Sequence, residues 1–193
     1  EGIKGLLDDL YYYGNWVQDQ AEDRLKYLFP KVKIPLENGG GAATVVAWLW
    51  VHTVRCPNPA CGAEIPLASK WDLCHKKGKE TWVKPVVDRS QSPPVIRFVI
   101  ESGKGKHPDR TVERQGAVCL ACETPIPLEY IRHEGREGRI GAQMIAVAAD
   151  SPGGRFYLAP DNEQELAVKN AIPSWKPDQS LKDGMAGNVS SYG

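Results

Sequence analysis

The chain predicts an α+β fold: a β-rich ribbon with a long N-terminal amphipathic helix and a short C-terminal helix. Three observations carry that expectation. Apolar residues recur at helical steps over residues 3–29, β-branched and aromatic runs bounded by Gly, Pro and Lys follow, and two short cysteine turns frame the strand-rich middle.

In the first stretch Ile3, Leu6, Leu7, Leu10, Tyr13, Trp16, Val17, Ala21 and Leu28 recur at three- and four-residue steps, with Asp8, Asp9, Asp19 and Asp23 in the gaps. Pro30 ends the helix. An apolar stripe of this length needs a partner surface, either the rest of this chain or a neighbouring domain. After the Gly39-Gly40-Gly41 turn, Thr44–Val54 holds Val45, Val46, Trp48, Trp50 and Val51 and reads as a strand leading into the first cysteines. Trp48 and Trp50, two apart, are expected on one side of it.

Further strands are expected at Val83–Val87, Val95–Ile100, Thr111–Val118, Met144–Ala148 and Phe156–Leu158, with Lys/Gly turns at Lys77-Gly78-Lys79 and Gly103-Lys104-Gly105-Lys106 between them. Asp161 reads as the N-cap of a short helix through Glu165 and Val168 that Pro173 ends. Beyond it the chain is rich in Pro, Gly, Ser and Asp and is expected to be a flexible tail without a core of its own. This divides the chain into an N-terminal helix and linker (1–43), a ribbon domain with an insert between the cysteine pairs (44–160), and a helix with tail (161–193).

Four of the five cysteines form two pairs, Cys56-Pro-Asn-Pro-Ala-Cys61 and Cys119-Leu-Ala-Cys122. A tetrahedral zinc site needs four soft or imidazole donors, and two short turns each deliver two thiolates to one ion. The turns are also near copies: Ala60–Leu67 matches Ala121–Leu128 at five of eight positions without a gap. A structural zinc held by Cys56, Cys61, Cys119 and Cys122 is therefore expected, pinning the ends of the 57-residue insert between Cys61 and Cys119.

The alternatives fit less well. Disulfides suit a reducing compartment poorly and would leave one cysteine over. A redox Cys-x-x-Cys lacks a thioredoxin-like setting here, and an iron–sulfur cluster suits paired turns across a long insert less than zinc does. Cys74-His75 could displace one member of the set, but it lies in a Lys-rich stretch outside both repeats, which favours a bystander. His52, His107 and His133 read as surface or loop histidines.

With 193 residues, 41% hydrophobic and 25% charged, the chain is ordinary for a soluble globular protein. No apolar run approaches the roughly 18–20 residues that span a bilayer, and no signal peptide is visible, so a cytoplasmic setting without membrane partners is expected. The absence of an initial Met and the loose end fit a piece of a longer protein. Net charge is zero, yet residues 68–118 hold 11 Lys/Arg against six acids, about +5 locally. Such an excess is either a solvated face or a phosphate-contacting surface, with Lys70, Lys76, Lys77 and Lys79 as candidates. Tyr130–Arg139 places Arg132, Arg136 and Arg139 among glycines that let the backbone approach a ligand. The bland reading is an exposed turn with ion pairs to Glu134 and Glu137. Trp71, beside Lys70, is either buried or a stacking platform for a base, burial being the safer reading. No phosphate-cradling Gly-x-x-x-x-Gly-Lys-Ser/Thr, no Gly-x-Ser-x-Gly elbow and no His-Glu-x-x-His helix occurs, so no catalytic residue is assigned.

Taken in order, Tyr12–Val17, Leu28–Val32, Ala47–Trp50, Cys56–Glu64, Ile126-Pro127, Tyr130–Arg132, Glu134–Arg136 and Gly138-Arg139 form a string of motifs over most of residues 5–160. That string resembles the middle region of the large prokaryotic adenine-specific DNA methylases that contain a zinc ribbon and stand in defence-type gene neighbourhoods. The resemblance implies a parent enzyme that transfers a methyl group from S-adenosylmethionine to the exocyclic amine of adenine. The family's Asp/Asn-Pro-Pro-Tyr/Phe tetrapeptide and Gly-rich cofactor loop do not occur here, since Pro93-Pro94 follows Gln91-Ser92 and precedes Val95. The chain would then be the non-catalytic ribbon portion, its partners DNA and the parent's catalytic domain, or a structural module packing on that domain or a defence-complex partner without DNA contact. Two departures stand out: Cys74-His75 in place of a Ser-Lys-rich stretch, and Glu123 where a Gly often follows the second cysteine, which is expected to distort the turn.

Overall fold

The computed structural model describes residues 2–36, 40–105 and 107–173. The expected tail beyond Pro173, Gly39 of the glycine turn and Lys106 therefore lie outside the described residues. The fold is α+β, with a long N-terminal helix, antiparallel sheets and a short C-terminal helix.

Helix α1 spans Gly2–Leu25, and a 3-10 turn at Lys26–Leu28 carries the chain to Pro30. Strand β1 (Lys31–Lys33), inside the expected linker, pairs with β2 (Ala42–Arg55), whose alternating burial makes it the spine of the molecule. β3 (Glu64–Pro66) pairs with the far end of β2. β4 (Asp72–Cys74), β5 (Thr81–Asp88) and β6 (Val95–Ser102) form a second sheet in that order, and β7 (Val112–Glu113), β8 (Gly116–Val118) and β9 (Pro125–Pro127) a third. After α2 (Leu128–Arg136), β10 (Gly141–Ser151) returns beside β2, β11 (Gly154–Leu158) closes that sheet, and α3 (Asn162–Asn170) follows.

Thr111–Val118 is two short strands instead of the one expected. Gly116, at φ 147°, turns the chain back, and a Cβ there would meet the Ile126 carbonyl oxygen at 2.2 Å, so a side chain has no room. Thr111, ahead of this hairpin, is buried and holds the Pro66–Ala68 segment through its hydroxyl.

The main core joins all three sheets. Val54 and Ile65 of the first meet Val83, Ile96 and Phe98 of the second and Ala117 and Ile126 of the third, and the buried Cys56, Cys61 and Cys119 belong to the same cluster. Trp71 is buried against Phe98 with its Nε1 donating to the Asp109 carbonyl, so it is a core residue. Trp48 stacks on Phe29 and donates to Gln164 of α3, while Trp50 remains exposed. Asp161 caps α3 by accepting from the Gln164 amide at 2.8 Å.

Helix α1 ends at Leu25, four residues short of the expected 3–29 run, because a 3-10 turn takes over before Pro30, and it has no partner among the described residues. From Ile3 to Leu25 every side chain except Gln20 is exposed, with Ile3 80% and Leu10 61% accessible. At about 3.6 residues per turn Trp16 points roughly a third of a turn away from the Ile3–Leu10–Val17 stripe, so it belongs to a second face with Tyr12. No described helix is long and apolar enough to cross a membrane.

Candidate metal centre

Strand β2 delivers Cys56 and β3 departs after Cys61, so the first knuckle is the turn between two paired strands. The second knuckle is built alike between β8 and β9. In each, the first cysteine's amide closes the loop, Cys56 to the Ala63 carbonyl at 2.8 Å and Cys119 to the Thr124 carbonyl at 3.0 Å. The residue after the second cysteine takes the left-handed conformation in both, Gly62 at φ 61° and Glu123 at φ 59°. Glu123 therefore does not distort the turn as expected. It adopts the glycine geometry at the cost of Cβ crowding.

The four sulfurs lie within 4.8 Å of one another. Cys56 Sγ is 3.7 Å from Cys122 Sγ, and Cys61 Sγ is 3.8 Å from Cys119 Sγ, each pair drawn across the two knuckles. An ion bound tetrahedrally by thiolates at about 2.3 Å has sulfur–sulfur edges of about 3.8 Å. The four sulfurs are thus positioned to hold a metal ion, and all four cysteines are free of disulfides.

The surroundings suit thiolates bound to a cation. Backbone amides of Asn58, of Ala121 and Cys122, and of Thr124 point at the sulfurs of Cys56, Cys119 and Cys122 respectively. Burial nevertheless pushes the Cys56 and Cys119 thiols up, because an uncompensated thiolate there would be desolvated. Cys122, the exposed member, is drawn down to about 6 by the Thr124 hydroxyl 3.1 Å away and the Thr124 amide. Asn58 ties the knuckles together: its side-chain nitrogen lies 3.7 Å from Cys122 Sγ and 3.4 Å from Thr124 Oγ1, while its Oδ1 accepts from Ala60 N. Two more cross-ties come from Arg89, donating to the Ala121 carbonyl, and Tyr130, donating to the Arg55 carbonyl.

Cys74 and His75 take no part. Cys74 sits on β4 opposite Thr81, its sulfur accepting the Lys76 amide, and the four-sulfur group includes neither residue. His107 lies in a loop, as expected, and is also half-buried there, stacking on buried Trp82 and hydrogen-bonding Asp72. No spacing signal in the sequence linked these three residues.

The basic candidates separate. Arg132, Arg136 and Arg139 lie on and just after α2, a helix that replaces the expected exposed turn but keeps its ion pairs to Glu134 and Glu137. Gly138 at φ 68° ends it, a C-cap signal legible in the sequence. Arg139 binds the buried Glu134 through two hydrogen bonds of 2.7 and 2.9 Å and approaches Glu137 at 3.6 Å, and this guanidinium holds the Glu134 carboxyl below its usual range. Arg136 faces Glu129 at 3.8 Å. Lys76, Lys77 and Lys79 crowd the β4–β5 turn, while Lys70 stands before β4. All four are exposed and in no ion pair among the described residues. No family model, curated protein or solved structure matches the chain.

Proposed function

We propose that this chain is the zinc-ribbon portion of a SAM-dependent adenine-specific DNA methyltransferase of the cytoplasm, non-catalytic in itself, which holds DNA while a separate domain acts on the base. The observation that carries the reading is the cluster of four cysteine sulfurs within 4.8 Å of one another, two of its pairs at the edge length of a tetrahedral site. Four thiolates favour zinc and leave no coordination position for a water, so the metal's role is folding. The parentage rests on the ordered motifs from Tyr12 to Arg139, and S-adenosylmethionine belongs to the parent, outside this chain. Unpaired lysines support DNA contact, since exposed cations gain most by displacing counterions from phosphate.

Two measurements test this. The purified chain is expected to carry one zinc and to bind duplex DNA in a salt-sensitive manner; binding no stronger than that of a neutral control protein at low salt would remove the DNA role. The full gene is expected to encode an Asp/Asn-Pro-Pro-Tyr/Phe tetrapeptide and a Gly-rich cofactor loop beside this region, and a gene without them is not that of a methyltransferase.

One observation favours a second reading, a structural interaction module without DNA contact. The bare apolar stripe of α1 suits packing on the methylase core or a defence-complex partner. Leu6→Asp with Leu10→Asp would then release the chain from its complex while leaving the ribbon folded.

A further inference from the structure

We propose that one end of the second sheet is the DNA-contacting element, formed where the β4–β5 turn meets the turn after β6, and that it grips the sugar–phosphate backbone of a duplex. The inference rests on the DNA-holding reading above and assigns it to a place. Strands β5 and β6 pair from Thr81 with Ser102 to Asp88 with Val95, so the chain leaves β6 beside the point where it enters β5. The Gly103 amide donates to the Glu80 carbonyl at 2.9 Å, locking the two turns side by side. Lys104 thereby joins Lys76, Lys77 and Lys79, more than twenty residues earlier.

The four ammonium groups are exposed and free of ion pairs among the described residues. Glu80 is the single acid in these two turns, and its carboxylate is engaged by the Gly78 amide at 2.9 Å. Elsewhere Arg139, Arg155 and Lys84 each meet a carboxylate within 3 Å. The contrast is between cations whose field is cancelled locally and four whose field is not.

The turns are also built to hold shape. Gly78 at φ 79° and Gly103 at φ 94° take left-handed conformations, and the Lys79 amide closes the first turn onto the Lys76 carbonyl at 2.8 Å. Behind Lys104 the chain is fastened by His107, stacked on Trp82 and bonded to Asp72. Three strands about 4.8 Å apart make a tip roughly 10 Å wide, which matches the roughly 12 Å major groove. The turns offer no apolar side chain to seat a peptide, and lysine recognises phosphate as a point charge without reading bases. Binding here is therefore sequence-independent.

The test uses the full chain and a fluorescent 20-base-pair duplex, with anisotropy followed across salt. Each lost phosphate contact lowers the slope of log K against log salt by about 0.9, so Lys77→Ala with Lys104→Ala is expected to lower it by about 2. Lys77→Arg with Lys104→Arg should keep the wild-type slope, and Arg132→Ala with Arg136→Ala should leave it unchanged. An unaltered slope in the lysine variant, at wild-type zinc content, overturns the assignment but not the DNA role. A loss confined to the arginine variant does the same. Competition by polyglutamate equal to that by unlabelled duplex overturns the phosphate assignment, and a wild-type chain that binds no duplex at low salt takes down both readings.

Discussion

The ribbon body and helix α1 are built on opposite terms. In the body, Val54, Ile65 and Val83 are fully buried and three of the four clustered cysteines lie in the same core. In α1, no side chain from Ile3 to Leu25 is buried. The body supplies its own stabilising contacts, to which an ion held by the four sulfurs would add. The helix does not, and isolated helices are marginal in water even with better formers than Gly5, Gly14 and three consecutive tyrosines. The comparison teaches that one chain can combine a unit closed on itself with an element that the described residues leave uncovered.

The largest effect that would break this contrast concerns the metal. Structural zinc binding supplies on the order of 10–16 kcal/mol in small peptides. Chelation, or Cys119→Ser, is therefore expected to melt the body cooperatively, read by near-ultraviolet circular dichroism. Unchanged melting after complete metal removal would mean that the core suffices alone.

Next, Ile65→Ala should destabilise the body by about 2–5 kcal/mol through the cavity it opens, whereas Leu10→Ala should leave denaturant unfolding of the body within about 0.5 kcal/mol. Equal costs would show that α1 packs on the ribbon after all. Gly14→Ala sharpens the point: nothing lies within 4 Å of a Cβ there, so helicity should rise by about 1 kcal/mol of propensity with no shift in the body's melting.

The smallest effect compares the two knuckles. Glu123→Gly relieves a left-handed residue and should stabilise by about 0.5–1 kcal/mol, the relief being partly offset by the looser unfolded chain. A destabilised variant would show that the Glu123 side chain makes a contact worth more than the strain.

Much of this was legible in the sequence wherever the physics is local. Cysteine spacing and the repeated Ala-Cys…Ile-Pro-Leu segment gave the ligand set, Asp161 gave the α3 cap, and Pro30 gave the end of the N-terminal helical run. What stayed hidden was short or relational. β1, β3 and β4 have three residues each and are strands only by virtue of their partners. α2 escaped because Gly135 and Gly138 made its arginines look like a loop, although Tyr130 and Ile131 pack on the core.

By itself the sequence determined the two cysteine pairs of the candidate metal site and the amphipathic character of α1, since a few consecutive backbone steps set each of them. Only the tertiary structure decided that Lys104 stands beside Lys76–Lys79 and that α1 finds no covering surface among the described residues. Those outcomes depend on where distant segments return in space, and charge and burial act through space whatever the separation along the chain.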